Sequence, residues 1–573
     1  MHHPVGLMLG QPRLRLIHRQ CVDCRQADSI EAYHELVPPQ GRYAFDLLVE
    51  VGLARLRDQR QDGEIQRFLQ ERWELSLPAS SIGLIVHSFL DGVSALHQAR
   101  GPALRQWLEA QGGYALHVDG TCEPDTDVLF MAHAQPQGWT LEVGKMGSEN
   151  ASDISQLMRR CVEHFGPPLA VVRDLSKNIE KAKQEAIPNV PDLICHYHFL
   201  ENVGEKLCEE PHAKLGHALR RLKVRPALTS LRKELVRWNN QTTALSRSEI
   251  EQLLLHPEEI AKFDPVALRR VVAYVLLRWL DDYTADLRGE YFPFDLPNLA
   301  FYRRGIQLGQ LVGELVAHPD FPGQRLSTLE TMARHLSFLR DDADIVAAAE
   351  RLEKAAALFQ ELRDVLRLSS HPRNRLLRGH APSEAAASRE SAEQLQQNLT
   401  AWRDRLACRH QRERDEHKRA DQATVLKYLE KYEHQLVGHV IEREGQEPFI
   451  VCRTNNPAEH RFQATKRGIR RKVGSKKLTR QIQAMRAEAL LVWNLTDQKY
   501  VQLVWDGDLA NLPAAIAAHW PAAQVIRQQR QTPPAEYPIP TTKKQMRDPN
   551  LLKTIKTIAT KLINSMKKPA HAA

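Results

Sequence analysis

The sequence predicts an α/β core, split by a long all-helical insertion and preceded by a helical N-terminal region. Three observations carry that expectation. Between residues 112 and 200, short apolar runs with strand-like period are broken by Gly, Pro and Asp. From about 201 to 445 the chain turns to long stretches of Ala, Leu, Glu, Arg and Gln, the composition of helices. A strand-like run then returns at Pro448-Phe449-Ile450-Val451.

Taken in order, residues 12–40 are a short stretch with Cys21-Val22-Asp23-Cys24 near their middle, within a first segment of 1–40. Residues 43–56 and 64–73 read as helices. Residues 74–79 read as a turn, and Ser80 or Ser81 can cap a helix running to about residue 98. Helix, turn, helix within 41–111 suggests a DNA-binding helix-turn-helix, with a plain helical hairpin as the alternative. Strands are expected at 114–118, 127–134 and 140–145, then a helix at 152–165, a strand at 169–172, a helix at 177–186 and a strand at 192–197. The order β-β-β-α-β-α-β is that of an RNase H-like core, whose first part spans 112–204. The insertion spans 205–447, and within it 383–437 reads as a coiled-coil-like arm without a strict heptad. The second part of the core, 448–530, continues through a helix from Pro457. Residues 531–573 read as a Pro-containing linker and a Lys-rich tail helix over 549–566.

A length of 573 residues leaves room for several domains, and 42% hydrophobic residues suffice for their cores. No run of about 18 apolar residues occurs, so no membrane span is expected. No apolar stretch precedes a small-residue cleavage site, so no signal peptide is expected either, and the chain reads as cytoplasmic. The net charge of +9 favours an acidic partner, with nucleic acid as the default. Eight cysteines are too few for a disulfide framework, which fits a reducing compartment.

Three acidic residues stand out against this frame. Asp119 ends the apolar run Leu116-His117-Val118, Asp174 ends Leu169-Ala170-Val171-Val172-Arg173, and Glu459 opens a basic helix after Thr454-Asn455-Asn456-Pro457-Ala458. Two strand-end aspartates and a later helical glutamate are what a core needs to hold two divalent cations. Hard oxygen ligands suit Mg²⁺, with Mn²⁺ as a substitute. Each acid has a plainer alternative. Asp119 before Gly120 can start a turn, Asp174 can cap the following helix, and Glu459 three residues after Asn456 matches a capping box. These alternatives weaken because all three acids occur in the required order around one core pattern.

Further motifs make the likeness specific. They are Val118-Asp119-Gly120-Thr121, Val171-Val172-Arg173-Asp174, Cys195-His196-Tyr197-His198 followed by Asn202, and Thr454-Asn455-Asn456-Pro457-Ala458-Glu459-His460-Arg461-Phe462 with Lys466-Arg467-Gly468. On these residues the chain resembles DDE-type transposases of bacterial insertion sequences, with Mutator-like kinship. The resemblance covers roughly 112–205 and 448–500. It implies Asp119, Asp174 and Glu459 as catalytic, metal-holding residues, with Cys195, His198, Asn202, Asn455 and Asn456 in accessory roles. Cys195 and His198 match a C-x-x-H element that follows the second Asp in such proteins. Two ligands do not complete a Zn²⁺ site, so core packing of Cys195 and hydrogen bonding by His198 are the preferred reading. Cys21 and Cys24, with His18 and His34, are candidate Zn²⁺ ligands in a degenerate zinc ribbon that lacks its second Cys pair.

The basic run Lys466, Arg467, Arg470, Arg471, Lys472, Lys476, Lys477 and Arg480, with Arg461 before it, is expected to contact DNA phosphates; a solvated charged face is the alternative. The resemblance implies a metal-dependent DNA cleavage and strand-transfer activity on the terminal inverted repeats of the element itself and on target DNA, performed by a homo-oligomer that joins two ends. Two other readings stay open: a catalytically retired transposase acting as a DNA-binding regulator, and a nuclease of the same fold without strand transfer. The large insertion and the Asn-Asn-x-x-Glu block argue against the last.

Overall fold

A computed structural model of the chain describes residues 4–12, 23, 31–242, 246–287, 289–317, 327–368, 385–505, 507–531 and 551–566. It is mostly helical, with one mixed five-stranded sheet and a separate two-stranded one. The chain divides into two compact units, Met1–Gly52 with Asp62–Ala99 and Ala510–Ala573, and Leu53–Gln61 with Arg100–Leu509.

The first unit is helical. Helices Asp62–Trp73 and Ala79–Ala99 follow one another across a turn in which Glu74 takes a left-handed φ of 54°. In the longer helix Ile82, Ile85, Phe89, Val93 and Leu96 recur at helical spacing and are buried. Gly52 allows the helix Phe45–Leu56 to approach it, since a Cβ there would stand 2.2 Å from the Phe89 ring. By length and composition alone Ala79–Ala99 is long and apolar enough to cross a membrane, a test that the buried core helix of a soluble protein also passes. More than half of its most apolar window (56%) is buried within the structure, and the buried Asp91 pairs with Arg527 at 3.0 Å.

In the second unit β1 (Ala115–Thr121), β2 (Val128–Gln135), β3 (Trp139–Met146), β4 (Ala170–Arg173) and β5 (Asp192–Ile194) form a sheet of order β3-β2-β1-β4-β5. The first three strands are antiparallel, and β4 and β5 run parallel to β1. Helices Ala151–Phe165 and Lys177–Ala186 provide the crossovers that parallel neighbours need. The first is capped by Asn150, whose side chain accepts the Asp153 N–H, and it buries Ile154, Leu157, Met158 and Cys161. These elements lie within a few residues of their expected places.

Two expectations need correction. The strand expected at 192–197 stops at Ile194. Cys195 is the residue before a helix, His196–Arg221, because the His196 N–H turns away to the Arg453 carbonyl at 2.9 Å. The arm expected at 383–437 is two helices, Ala385–Arg412 and Glu416–Val437, packed against each other. Asp415 divides them by accepting the N–H groups of His417 and Lys418 at 3.0 and 3.2 Å, an N-cap that starts a new helix.

The inserted helices share a core of Leu207, Leu215, Leu352, Phe359, Leu362 and Leu429 with the helix His196–Arg221. The chain then returns through β6 (Val440–Ile441) and β7 (Phe449–Ile450), which pair with each other and not with the large sheet. The return is by packing: Phe449 and Val451 bury against Ala115, Ala170, Val172, Leu193 and Cys195.

Candidate active site

Alternation along β1 puts Ala115, His117 and Asp119 on one face, the face against which Phe449 and Val451 pack. The parallel register pairs Ala115 with Ala170 and His117 with Val172. Carried two residues further, it sets Asp119 level with Asp174, just past the end of β4. Asp119 lies inside its strand, so it does not start a turn; it is 6% exposed and accepts the Gly120 N–H at 2.9 Å. Asp174 does serve the turn into the next helix, with Oδ1 accepting the Ser176 N–H at 2.8 Å.

Glu459 comes from the first turn of helix Asn456–Val473. The capping box expected there is absent: the residue before the helix is Asn455, whose side chain caps nothing. That side chain is fully buried and committed elsewhere. Its Nδ2 donates to the Val118 carbonyl at 3.0 Å, which turns Oδ1 towards His117, whose Nδ1–H donates to it at 3.0 Å. The Asn455 backbone N–H donates to Cys195 Sγ at 3.2 Å. The side chain of Asn456 lies outside the described residues, as do Cys21, Cys24 and His18.

His198 stands in the first turn of its own helix, not on a strand, with Nε2 3.5 Å from Glu459 Oε1. Glu459 Oε1 is itself buried and makes no hydrogen bond. The electrostatics tie the group together. Burial pushes the Asp119 carboxyl up to about 7; His198 opposes that rise, and Glu459 and Asp174 add to it. Burial also raises Glu459, with His198 again opposing and Glu201 reinforcing. Burial alone would depress His198, but Cys195, Asp119 and Glu459 outweigh it and hold the imidazole well above its ordinary value. The carboxylates around His198 thus favour its charged form.

Asn202 donates back to the His198 carbonyl at 3.2 Å within the helix. Glu201 went unnoticed in the sequence. Burial raises its carboxyl, while His198 and a hydrogen bond from Tyr291 of the insertion act against the rise. Its signal was there to read, because Cys195, His198 and Glu201 recur every three residues on one side of a helix.

The basic residues after Glu459 do not behave alike. Arg461 is turned inward and does not face DNA. It donates to Thr140 Oγ1 at 2.8 Å and to the Gly138 carbonyl, and burial lowers its guanidinium to about 10. Lys472 donates to the Arg55 carbonyl at 2.7 Å, which also removes it from the expected DNA-facing set. Lys466 is divided between the Cys122 carbonyl and Glu123 at 3.0 and 3.2 Å. Arg467, Arg470, Arg471, Lys476, Lys477 and Arg480 are exposed, and the first three share one helix face.

Among the described residues no three His, Cys, Asp or Glu side chains stand close enough to hold a metal ion between them. The donor chemistry nonetheless suits a hard cation: the buried Asp119 carboxyl, the half-buried Asp174 level with it in the strand register, and a half-buried Glu459 with one oxygen that makes no hydrogen bond. Compared with family models and with curated proteins, the chain matches none.

Proposed function

We propose that this chain is a DDE-type transposase with an RNase H-like core, which binds the ends of its own insertion sequence and catalyses DNA cleavage and strand transfer. The observation that supports it most is the parallel register that sets Asp119 level with Asp174, with Glu459, from beyond the whole insertion, standing 3.5 Å from His198. The strand order β3-β2-β1-β4-β5, with two antiparallel neighbours and two parallel ones, agrees with such a core.

Asp119, Asp174 and Glu459 are the residues that would hold two Mg²⁺ ions, or Mn²⁺ in their place. Bound there, the ions would supply Lewis-acid activation of the attacking oxygen and charge relief at the leaving one. The chain's own residues prepare that site. Burial desolvates the Asp119 carboxyl, and His198, 3.5 Å from Glu459, opposes the rise of both carboxyls. The exposed Arg467, Arg470, Arg471, Lys476 and Lys477 take the phosphates of the DNA leading to the site. Water is the first nucleophile and the freed 3′-hydroxyl the second, so two DNA ends must be held at once, and a homo-oligomer acting at the bacterial nucleoid follows. A Zn²⁺ ion at Cys21 and Cys24 belongs to the same proposal.

One observation favours a second reading, a retired transposase that only binds DNA: as it stands, the carboxylate set does not close around an ion. Excision and reinsertion of the native locus with its flanking DNA, in cells lacking the element, separates the two. Mobility with the wild type that disappears in Asp174→Asn is the expected result. Mobility in both would refute the assignment of Asp174. No mobility in either, with DNA binding intact, would favour the retired protein.

A further inference from the structure

The Asn455 and Glu459 pair on one helix and the Cys195 and His198 pair on another form a closed ring, and its spacing has a physical meaning. Asn455 and Glu459 are separated by one helical turn, and the Glu459 N–H donates to the Asn455 carbonyl at 3.1 Å. Cys195 and His198 are separated by one turn at the start of the helix His196–Arg221. The two helix starts are clasped in both directions: the Asn455 N–H donates to Cys195 Sγ at 3.2 Å, and the His196 N–H donates to the Arg453 carbonyl at 2.9 Å. One turn further on, His198 Nε2 meets Glu459 Oε1 at 3.5 Å. Matched steps on the two helices thus turn a backbone clasp at one end into a side-chain meeting at the other.

Asn455 adds the third anchor. Its amide bonds both His117 and Val118 on β1, the strand that carries Asp119 one and two residues later. Every polar group of Asn455 is used, and the side chain has no exposure. The segments it joins lie about 260 and 337 residues away along the chain, so no local propensity holds them together.

We infer that Asn455 is a positioning residue: it fixes the Glu459 helix simultaneously to β1 and to the Cys195–His198 turn, and so sets where Glu459 stands relative to Asp119 and His198. The inference rests on the metal-dependent reading above for its consequence in catalysis, but its geometry stands without it. Cys195, on this account, is a hydrogen-bond acceptor in a clasp, and the C-x-x-H spacing is a gauge matched to the Asn-x-x-x-Glu spacing opposite.

The test uses the full chain with two readouts, amide hydrogen exchange and uptake of Mn²⁺ followed by electron paramagnetic resonance. In Asn455→Ala, amides at 196–203 and 456–462 should exchange about tenfold faster, the effect of losing roughly one buried hydrogen bond, while β2 amides keep wild-type protection. Mn²⁺ affinity should fall by about tenfold, the usual cost of removing a partner that orients a ligand. Cys195→Ser, which keeps an acceptor for the Asn455 N–H, should stay near wild type on both measures, whereas Cys195→Ala should follow Asn455→Ala. Unchanged exchange in Asn455→Ala, or a wild type that takes up Mn²⁺ but no more tightly than this variant, would overturn the inference. If Asn455→Ala does not fold, Asn455→Asp is judged on the same measures, since it keeps the shape and loses the donor to Val118. A wild type that takes up no Mn²⁺ would sink the metal reading, and the exchange result would then decide the positioning role by itself.

Discussion

The two parts of the second unit bury polar groups in different ways. The inserted helices close over Leu, Ala and Phe, and their buried charges meet opposite charges. Arg351 makes two bonds of 2.6 Å to Asp421, and Arg363 bonds Glu290 at 2.9 Å. Around the sheet, four histidines are almost wholly buried, His117, His133, His196 and His439. Arg453 is buried with them and donates to the Leu366 carbonyl and to His196, and the half-buried Arg461 donates to Thr140 and Gly138. Buried polar groups of this kind add little net stability and are costly whenever a partner is removed. An apolar interior would do better if stability were all that mattered. The insertion therefore has the interior of a stability device. The sheet has that of a positioning device, built around the strands that lead to Asp119 and Asp174.

The largest expected effect that could break this contrast is acid. Burial holds His117 down to about 4 and His439 down to about 3, and it holds His133 and His196 well below the ordinary imidazole value. Arg461 beside His133, and Arg453 beside His196 and His439, push the same way. As pH falls below about 6.5 the unfolded imidazoles take up protons that the folded ones refuse, so stability drops from there towards pH 4. Asp119 has the opposite sign. Its carboxyl is raised to about 7, so its contribution is lost as pH rises through that value, and the raised Glu459, Glu201 and His198 share its sign against the four histidines. In the insertion, His212 and His335 are only partly buried. Hydrogen exchange at pH 7 and pH 5 should show the sheet losing protection before the inserted helices; parallel loss would dissolve the distinction. Leu352→Ala probes the other side. It empties a fully buried site in the insertion and should cost about 2–5 kcal/mol in urea unfolding, with the loss of protection centred on the inserted helices.

Much of the sheet was legible in the sequence because its strands are short, alternating and separated by breakers. The helix expected at 177–186 is Lys177–Ala186 to the residue, and each of the first four strands starts and ends within about three residues of its expected place. What was not legible depends on distant partners. Nothing local stops a strand at Ile194; the Arg453 carbonyl does, from the far side of the insertion. The break at Asp415 was readable as a cap, but a long Ala- and Leu-rich stretch masks one Asp. The strand-end acids showed in the sequence as a pattern, whereas Asn455 looked like a helix start and is in fact held by β1. Glu201 was legible only in its spacing from Cys195 and His198, and Arg461 was hidden in a basic run.

That basic run supplies the finest contrast, because one helix carries both kinds of arginine. Arg461 has the burial and the carbonyl partners of the sheet interior, so Arg461→Ala should cost about 1–3 kcal/mol by leaving Thr140 and Gly138 without their donor. It should leave the salt dependence of duplex binding as it was, since the residue does not reach solvent phosphates. Arg470 and Arg471 lie on the exposed face two to three turns on, with nothing in the fold depending on their side chains. Replacing both by Ala should change stability by less than about 0.5 kcal/mol. It should lower the slope of log affinity against log salt by nearly two, about 0.9 for each phosphate no longer neutralised. Any duplex serves, because binding to phosphates does not read sequence. An unchanged slope would remove this face from the DNA path and leave the one-signed charge of the helix as a solvated surface; a change in slope for Arg461→Ala would mean that the helix turns over when DNA arrives.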